Sequence, residues 1–429
     1  MKKLLCLAVG VFCVLICAAQ TDTLRHFSGN AVTWARGEIR DGALPAENGE
    51  DFAAFLMSST TLRLDYTSKW LDVRFSPKYF GVWGAKGAGD LSIDEAWLGL
   101  KAKSGLFLRL GRQKLSYDDQ RIIGADDWAM APKTHDVLKA GYEGGKHKVH
   151  LLVSFNQNYE NLNGGTEYVN GGQDYKTMQA LWYHYDPLKW LGVSLIAMNV
   201  GMQSLLTTDA NTNKCYYQQL LGGFVDVHPK KFGFQASYYQ QLGFTERALP
   251  IQAWMASAES AWQIIPQVRA RAGYFHMSGD PMFFVPVGGT FGMVRKTEVR
   301  GFNPIFGSHH KFYGAMDFFY VTTYYGGSTP GLQDLHAGVT WSPTKKLDLT
   351  GNYHYLATSV DVANAPGRTL GHEFEFELSW RFAKFVNLQA GYTVMGGTET
   401  MEVLKRTSGQ NHLRWGWIML LVTPEFFRL

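Results

Sequence analysis

One segment of the sequence places carboxylates on every second residue. In HEFEFELSWRF, which covers residues 372–382, Glu373, Glu375 and Glu377 share one parity with Arg381, while the residues between them are mostly large and apolar. Side chains of this kind attract ions and orient or filter polar solutes, and no catalytic spacing such as a nucleophile elbow accompanies them. The chemistry indicated is charge recognition rather than covalent catalysis.

Basic residues complement these carboxylates, mostly in the first third of the chain and in one later segment. Those with the matching parity are Arg63, Arg74, Lys78, Lys101, Arg109, Lys139, Arg269 and Arg271. Arg112 and Lys114 have the opposite parity to Arg109, and a bulge at Gly111 is predicted to turn both inward. A basic wall opposite an acidic one would create a transverse field, whereas pairing of acids with bases across strands would stiffen the structure. Both interpretations are open at this stage.

Only β-strands can position these groups as the pattern requires. Successive side chains of a strand point to opposite faces, whereas a helical period of about 3.6 residues would scatter them around an axis. The alternation recurs, for example, in residues 61–66, 149–156, 268–274 and 347–355. Such patterning in segments of about ten residues is typical of transmembrane β-barrels. A secreted soluble all-β protein would also show alternating strands, but it would not predict the pattern of the connections.

The connections between these segments are short and long in turn. Eight short turns and nine longer connections join about 18 strands, which predicts a transmembrane antiparallel up-and-down barrel with short periplasmic turns and long extracellular loops. This count requires KFYGAMDFFYV, Lys311 to Val321, to belong to a large loop over 279–330 rather than to a strand. The predicted fold class is all-β, with a lumen too wide to be filled by barrel side chains alone.

Composition and the N-terminus indicate an exported membrane protein. The 429 residues are 14% aromatic and only 18% charged, with a net charge of +4. There is no basic tract, so a nucleic-acid partner is not expected. Lys2 and Lys3 precede an apolar run and small residues, which predicts a cleaved signal peptide over 1–19. Residues 20–429 then form one barrel domain, surrounded by the outer-membrane lipids of a Gram-negative bacterium.

Three segments resemble the bacterial alginate-export porin family. They are LRLGRQKLSYDDQRIIGADDW (108–128), GFNPIFGSHHKFYGAMDFF (301–319) and, more loosely, DEAWLGLK (94–101). The resemblance implies an outer-membrane barrel of about 18 strands, with an arginine-lined, anion-preferring path and long loops that control access. The residues that match its motifs are Arg109, Arg112, Gln113, Asp119, Arg121, His310, Lys311 and Asp317. The glutamate ladder, Glu373, Glu375 and Glu377, departs from the family, because an alginate path should not repeat carboxylates along a strand.

These observations predict an outer-membrane channel for passive or loop-gated passage of anionic or polar saccharide-like solutes. Lumen arginines would attract the solute, and the loops around 117–135 and 279–330 would narrow the entrance. The alternative is an outer-membrane scaffold or adhesin barrel, plugged by its own loops, without a transport role. We expect no enzymatic activity, no cofactor and no metal site, since His309 and His310 are assigned to loop packing. An unidentified periplasmic partner remains open.

Overall fold

The computed structural model describes residues 25–41, 52–87, 89–125, 128–130, 133–160, 162, 164–168, 171–209, 212–281, 284–287, 290–293, 297–319, 329–405 and 412–429. The predicted signal peptide over 1–19 lies outside these residues. Antiparallel strands account for nearly all of the regular structure.

The strands of the described residues are β1 (His26–Asp41), β2 (Ala53–Thr67), β3 (Leu71–Val82), β4 (Asp90–Lys101), β5 (Leu106–Gln113), β6 (His135–Gly144), β7 (His147–Phe155), β8 (Thr177–Leu188), β9 (Leu191–Gln203), β10 (Cys215–Val227), β11 (Phe232–Phe244), β12 (Pro250–Ile265), β13 (Val268–Met277), β14 (Phe284–Val287), β15 (Thr290–Met293), β16 (Leu332–Thr344), β17 (Leu347–Ala357), β18 (Thr369–Ala383), β19 (Val386–Gly397), β20 (His412–Val422) and β21 (Glu425–Arg428). Helix α1 (Glu399–Lys405) and the 3-10 turns Thr207–Asp209 and His309–Lys311 lie in connections.

Eighteen of these strands form one closed antiparallel barrel. Consecutive strands pair around the wall, β13 pairs with β16 across the large loop, and β1 pairs with β20 to close the ring. Strands β14 and β15 form a separate hairpin within the large loop, and β21 follows β20 along the start of β1. Closure leaves no sheet edge with unpaired backbone groups, as a sheet in a bilayer requires. The predicted fold class and strand number are confirmed.

The two sides of the wall have opposite character, as β18 illustrates. Glu373 and Glu375 are 1% and 5% exposed, whereas Phe374 and Phe376 are 45% and 57% exposed. The apolar side chains therefore form the outer surface, and the carboxylates lie on the inner surface, where other parts of the chain cover them. Among the described residues, no helix is both long and apolar enough to cross a membrane.

Within its described residues the large loop adds no strand to the barrel, as the sequence predicts. It connects β13 to β16, and its described part from Lys311 to Phe319 contains turns and irregular backbone. A strand in this segment would have given an odd number of strands. The short turns and the long connections alternate around the barrel at the predicted positions.

The predicted bulge at Gly111 is wrong. The β4–β5 register runs without a shift through Gly111 and Arg112, and the register shift in this region lies between β3 and β4, at Asp94. Alternation is therefore preserved along β5, and Arg112 shares the outer side with Leu110, which is 52% exposed. Arg112 is not turned inward because Asp136 meets its guanidinium with two hydrogen bonds of 2.9 and 2.7 Å, which offset the cost of a cation on this side.

Candidate functional site

Two connections fold into the barrel and pack against each other. We call their described parts, residues 114–125, 128–130, 133–134 and 297–319, the plug. Ile123 and Phe306 form a parallel β-bridge, and the N–H of Gly124 donates to the carbonyl of Phe306 at 2.8 Å. The N–H of Ser308 donates to the carbonyl of Gln120 at 3.0 Å. These backbone bonds join two segments that are far apart in sequence into one unit.

The plug contacts distant parts of the barrel wall. Asn303 exchanges two hydrogen bonds with the side chain of Gln241 on β11. His310 packs edge-on against Trp415 of β20, with ring centres 5.7 Å apart. Strands β11 and β20 are far apart around the ring, so one segment can touch both only across the interior. The plug therefore occupies part of the lumen and forms the candidate constriction.

The two buried members of the glutamate ladder bind the plug. The N–H of Ala315 donates to Oε1 of Glu375 at 2.7 Å, and the N–H of Met316 donates to Oε1 of Glu373 at 3.1 Å. Gly314, with φ +87°, brings this backbone so close that a Cβ there would lie 2.8 Å from a Glu373 carboxylate oxygen. Leaving such a buried N–H without an acceptor costs about 1–3 kcal/mol. Repeated carboxylates are unexpected in a path for anions, but here Glu373 and Glu375 hold the plug in place.

Stacked rings bind the plug to the strands that close the barrel. Trp128 lies parallel to the imidazole of His310, with ring centres 4.2 Å apart, and the Arg36 guanidinium lies 3.8 Å from the Trp128 ring centre. Arg36 pairs with Glu38 at 2.9 Å, and His310 pairs with Asp317 at 2.8 Å. Cation–π and charge-assisted contacts of this kind fix the orientation of the rings. His310 and Asp317 of the second family motif therefore fix the geometry of the plug.

A cavity of about 100 Å³ lies between the plug and strands β11–β13, β16 and β17. Its lining includes the cations Arg121, Arg271 and Lys311 and the rings of Phe312 and Tyr313. The acidic and histidine part of the lining consists of Asp119, Glu259, Asp334, His336 and His354. Cations beside aromatic rings can bind an anionic group while the rings contact the apolar face of its carrier.

Asp119 holds two of the cavity's cations in place. Nε of Arg121 lies 2.8 Å from Oδ2 of Asp119, and Nζ of Lys311 donates to the Asp119 backbone carbonyl at 3.0 Å. The Arg121 guanidinium also lies 3.9 Å from the ring centre of Phe312. Burial lowers the pKa of Lys311. The structure thus brings together Asp119, Arg121 and Lys311, which the two family motifs contribute from separate loops.

Several predicted lumen cations form ion pairs with residues of neighbouring strands. Arg74 on β3 contacts Asp65 at 2.6 Å and Glu95 at 3.1 Å, and Lys101 contacts Asp72 at 2.7 Å. The other pairs are Lys114 with Asp94 at 3.1 Å and Arg381 with Asp348 at 2.8 Å. Cross-strand pairing, which the sequence left open, accounts for Arg74, Lys101 and Arg381, while Lys114 pairs with β4 from the start of the plug.

The other predicted path residues are placed differently. The Arg109 guanidinium lies 3.9 Å from the ring centre of Trp97, and Nζ of Lys139 lies 5.3 Å from that of Tyr117. Lys78 is buried, Arg63 is half-buried, and Arg269 and Glu377 are exposed. Of the residues predicted from strand parity, the described cavity lining includes Arg271 alone.

Sequence reasoning missed the acidic and histidine side of the cavity. Glu259 lies on β12, Asp334 and His336 on β16, and His354 on β17. Their only sequence signal is parity, because Asp334 and His336 flank the exposed residue Leu335. Parity places a residue on the inner face, but only the register between strands shows that His336 lies directly opposite His354.

Acid is expected to loosen the plug through His309. Burial lowers the pKa of this histidine from 6.5 to about 4, with a smaller contribution from Lys133, while its Nε2 lies 3.0 Å from the Pro304 carbonyl. Between pH 4 and pH 6.5 the docked loop therefore binds fewer protons at His309 than the released loop does. The free energy of docking is at its full value above about pH 6.5. It becomes less favourable as the pH falls towards 4, by about 3 kcal/mol in total.

The measurement is the open fraction of single channels in planar bilayers from pH 7.5 to 4.5. His309→Gln keeps a donor for Pro304 but does not titrate, so it should flatten part of the pH response. Because other groups can also respond to acid, the difference between wild type and variant isolates the contribution of His309. Identical pH responses would contradict this role.

Comparisons with known proteins give a family and a set of similar folds. The family model described as alginate export matches residues 84–397. Among solved structures, Pseudomonas aeruginosa OpdL matches with a TM-score of 0.61 and 12% identity over 94% of this chain and 99% of that chain. OccK5 (OpdH) of the same organism gives 0.59 and 11% over 93% and 99%. OccK2 (OpdF), solved in complex with glucuronate, gives 0.61 and 12% over 94% and 98%. No curated protein matches the chain.

Proposed function

The chain belongs to the alginate export family, and from this premise we propose that it is an outer-membrane channel for small anionic, saccharide-like solutes whose access is controlled by the plug. The family and the closed barrel indicate the outer membrane of a Gram-negative bacterium. The chemistry required is binding and guidance, so we expect the protein to be a transport channel without enzymatic activity.

The cavity beside the plug carries this proposal. Arg121, Arg271 and Lys311 lie there together with Phe312 and Tyr313, which suits a carboxylate attached to a sugar ring. OccK2, a similar barrel, was solved with glucuronate, which is such a molecule. A substrate in this cavity would be held between the plug and the barrel wall.

Basic residues elsewhere on the wall would guide the solute towards and away from this cavity. We assign this role to Arg63, Arg109, Lys139 and Arg269, and a weaker role to cations already paired with carboxylates. Stacking on Trp97 fixes Arg109 without neutralising its charge. In a wet lumen such charges raise the local concentration of anions and bias permeation.

The proposal is tested by the reversal potential of single channels in a planar bilayer under a KCl gradient. We expect anion selectivity in the wild type and a decrease of the anion-to-cation permeability ratio of about threefold in Arg109→Gln/Arg271→Gln, because two of the wall cations are removed. Arg368→Gln is the matched control, since Arg368 pairs with Asp361 on the exposed loop surface. Glucuronate should block the current at lower concentration than neutral glucose.

The anion-channel proposal would be refuted by cation selectivity, or by equal block of the current by glucuronate and glucose. The plug favours one other candidate function, a scaffold or adhesin barrel closed by its own loops. That function predicts no conductance in the wild type, and no preferential block by glucuronate over glucose in variants with a released plug.

A further inference from the structure

Three buried side chains converge on the inner face of β16 and β17. Asp334 and His336 lie two residues apart on β16, and His354 lies opposite His336 on β17. Their imidazole rings are roughly stacked, with centres 5.4 Å apart and planes 28° apart. One potential ligand atom from each of the three residues lies within 4.8 Å of the others. All three side chains are more than nine-tenths buried, so the cluster is not a chance grouping of exposed surface residues.

Both imidazoles present the same nitrogen to Asp334. Nδ1 of His354 lies 2.9 Å from Oδ1 of Asp334, and Nδ1 of His336 lies 3.2 Å from Oδ2. The second contact lacks hydrogen-bond alignment, so Nδ1 of His336 is a buried nitrogen without a hydrogen-bond partner among the described residues. In its deprotonated form this nitrogen could share a metal ion with the facing carboxylate oxygen, and no hydrogen bond would have to be broken at that position.

The opposite nitrogen of each ring meets a carboxylate. Nε2 of His336 lies 3.1 Å from Glu259, and Nε2 of His354 lies 3.4 Å from Glu375. Histidine ligands of metal ions commonly donate their other N–H to a carboxylate, which fixes the ring orientation and increases its basicity. Two such carboxylate–histidine pairs that converge on one aspartate are the arrangement expected around a metal centre.

We propose that Asp334, His336 and His354 form a binding site for a divalent transition-metal ion of the zinc class. Two imidazole nitrogens and one carboxylate match the ligand chemistry of zinc, and three protein ligands leave a fourth position open. Ca²⁺ and Mg²⁺ fit less well, because they prefer oxygen ligands in larger number. All three residues also line the cavity beside the plug, which gives a fourth ligand a route to the site.

Charge supports this assignment. Asp334, Glu259 and Glu375 bring three carboxylates around two imidazoles, and a dication offsets this excess of negative charge. Arg121 and Arg271 line the same cavity, and they would favour an anionic fourth ligand such as hydroxide, chloride or a carboxylate.

The test uses the full barrel, refolded in detergent without a histidine tag and stripped with a chelator. Titration with Zn²⁺ against a competing chromophoric chelator should show one site per chain. His336→Ala/His354→Ala should lower the affinity by about a hundredfold or more, and Glu259→Gln by about tenfold. In parallel, Co²⁺ should give the visible d–d bands of a tetrahedral site in the wild type and lose them in the double variant.

His372→Ala is the matched control, because this histidine on β18 is exposed and contacts Tyr353 instead of the cluster. Heat-modifiable mobility on gels verifies that each variant is a folded barrel, and Glu259→Gln provides a milder change if the double variant fails to fold. The proposal is overturned if the folded wild type binds neither Zn²⁺ nor Co²⁺. It is equally overturned if the double variant or Glu259→Gln binds as tightly as His372→Ala. Binding of Ca²⁺ in preference to Zn²⁺ would also refute it.

Discussion

Replacing Glu373 and Glu375 together by alanine is expected to raise the ratio of open to closed channels by about a hundredfold, provided the plug is the gate. Each carboxylate accepts one backbone N–H from the plug, at 3.1 and 2.7 Å. Loss of both acceptors leaves two buried N–H groups unpaired at about 1–3 kcal/mol each, so about 3 kcal/mol is removed from the docked state. Each 1.4 kcal/mol corresponds to roughly a factor of ten in population.

A graded series makes this expectation specific. Glu373→Gln/Glu375→Gln keeps the shape and leaves one carbonyl acceptor in each side chain, so it should open the channel less than the alanine pair. Glu377→Ala is the matched control, because Glu377 belongs to the same ladder but is exposed. Its channels should open like those of the wild type.

The measurement is single-channel current in planar bilayers, together with gel mobility to verify folding. If the alanine pair and Glu377→Ala had the same open fraction, the proposal that Glu373 and Glu375 hold the plug would be rejected. If Glu377→Ala changed the current strongly and the alanine pair changed it little, the glutamate ladder would act as an ion filter instead. In Glu375→Ala, His354 also loses a carboxylate neighbour at 3.4 Å, so the two single variants should be compared as well.

We expect Gly111→Ala to prevent most of the protein molecules from folding into the barrel. Gly111 has φ +126°, and a Cβ there would meet the Ala96 carbonyl oxygen at 2.2 Å and the Cα of Trp97 at 2.9 Å. Both are backbone atoms of the paired strand β4, which cannot move away without opening the β4–β5 ladder. The strained backbone costs about 1–3 kcal/mol, and with the clash the total should reach about 4 kcal/mol or more.

Gly99→Ala on β4 provides the matched control. A Cβ at Gly99 meets no atom nearer than 3.5 Å, and its backbone has no positive φ. The fraction of heat-modifiable barrel after refolding, and its midpoint in denaturant, should fall sharply for Gly111→Ala and change little for Gly99→Ala. Similar folded yields for the two variants would refute the steric argument.

The wall of the barrel could be predicted from sequence because its signals are local. A strand such as β18 separates Glu373 from Phe374 by its own period of two, and connection lengths are read directly along the chain. The prediction failed at Gly111, where parity alone required a bulge to bury Arg112. A partner 24 residues away, Asp136, satisfied the guanidinium on the outer side instead. The residue pattern of β5 alone gives no information about Asp136, because Asp136 lies on another strand.

The sequence by itself determined the export-type barrel, its number of strands, its inner and outer faces and the loops that are long enough to enter it. Only the tertiary structure decided which charged groups meet: Glu375 and Glu373 bind plug backbone 60 and 57 residues away, and His336 meets His354 through strand register. The physical reason is that one strand's alternation fixes the side on which a side chain lies. Its partner on that side depends on how a wide barrel closes and on which loop then fills it.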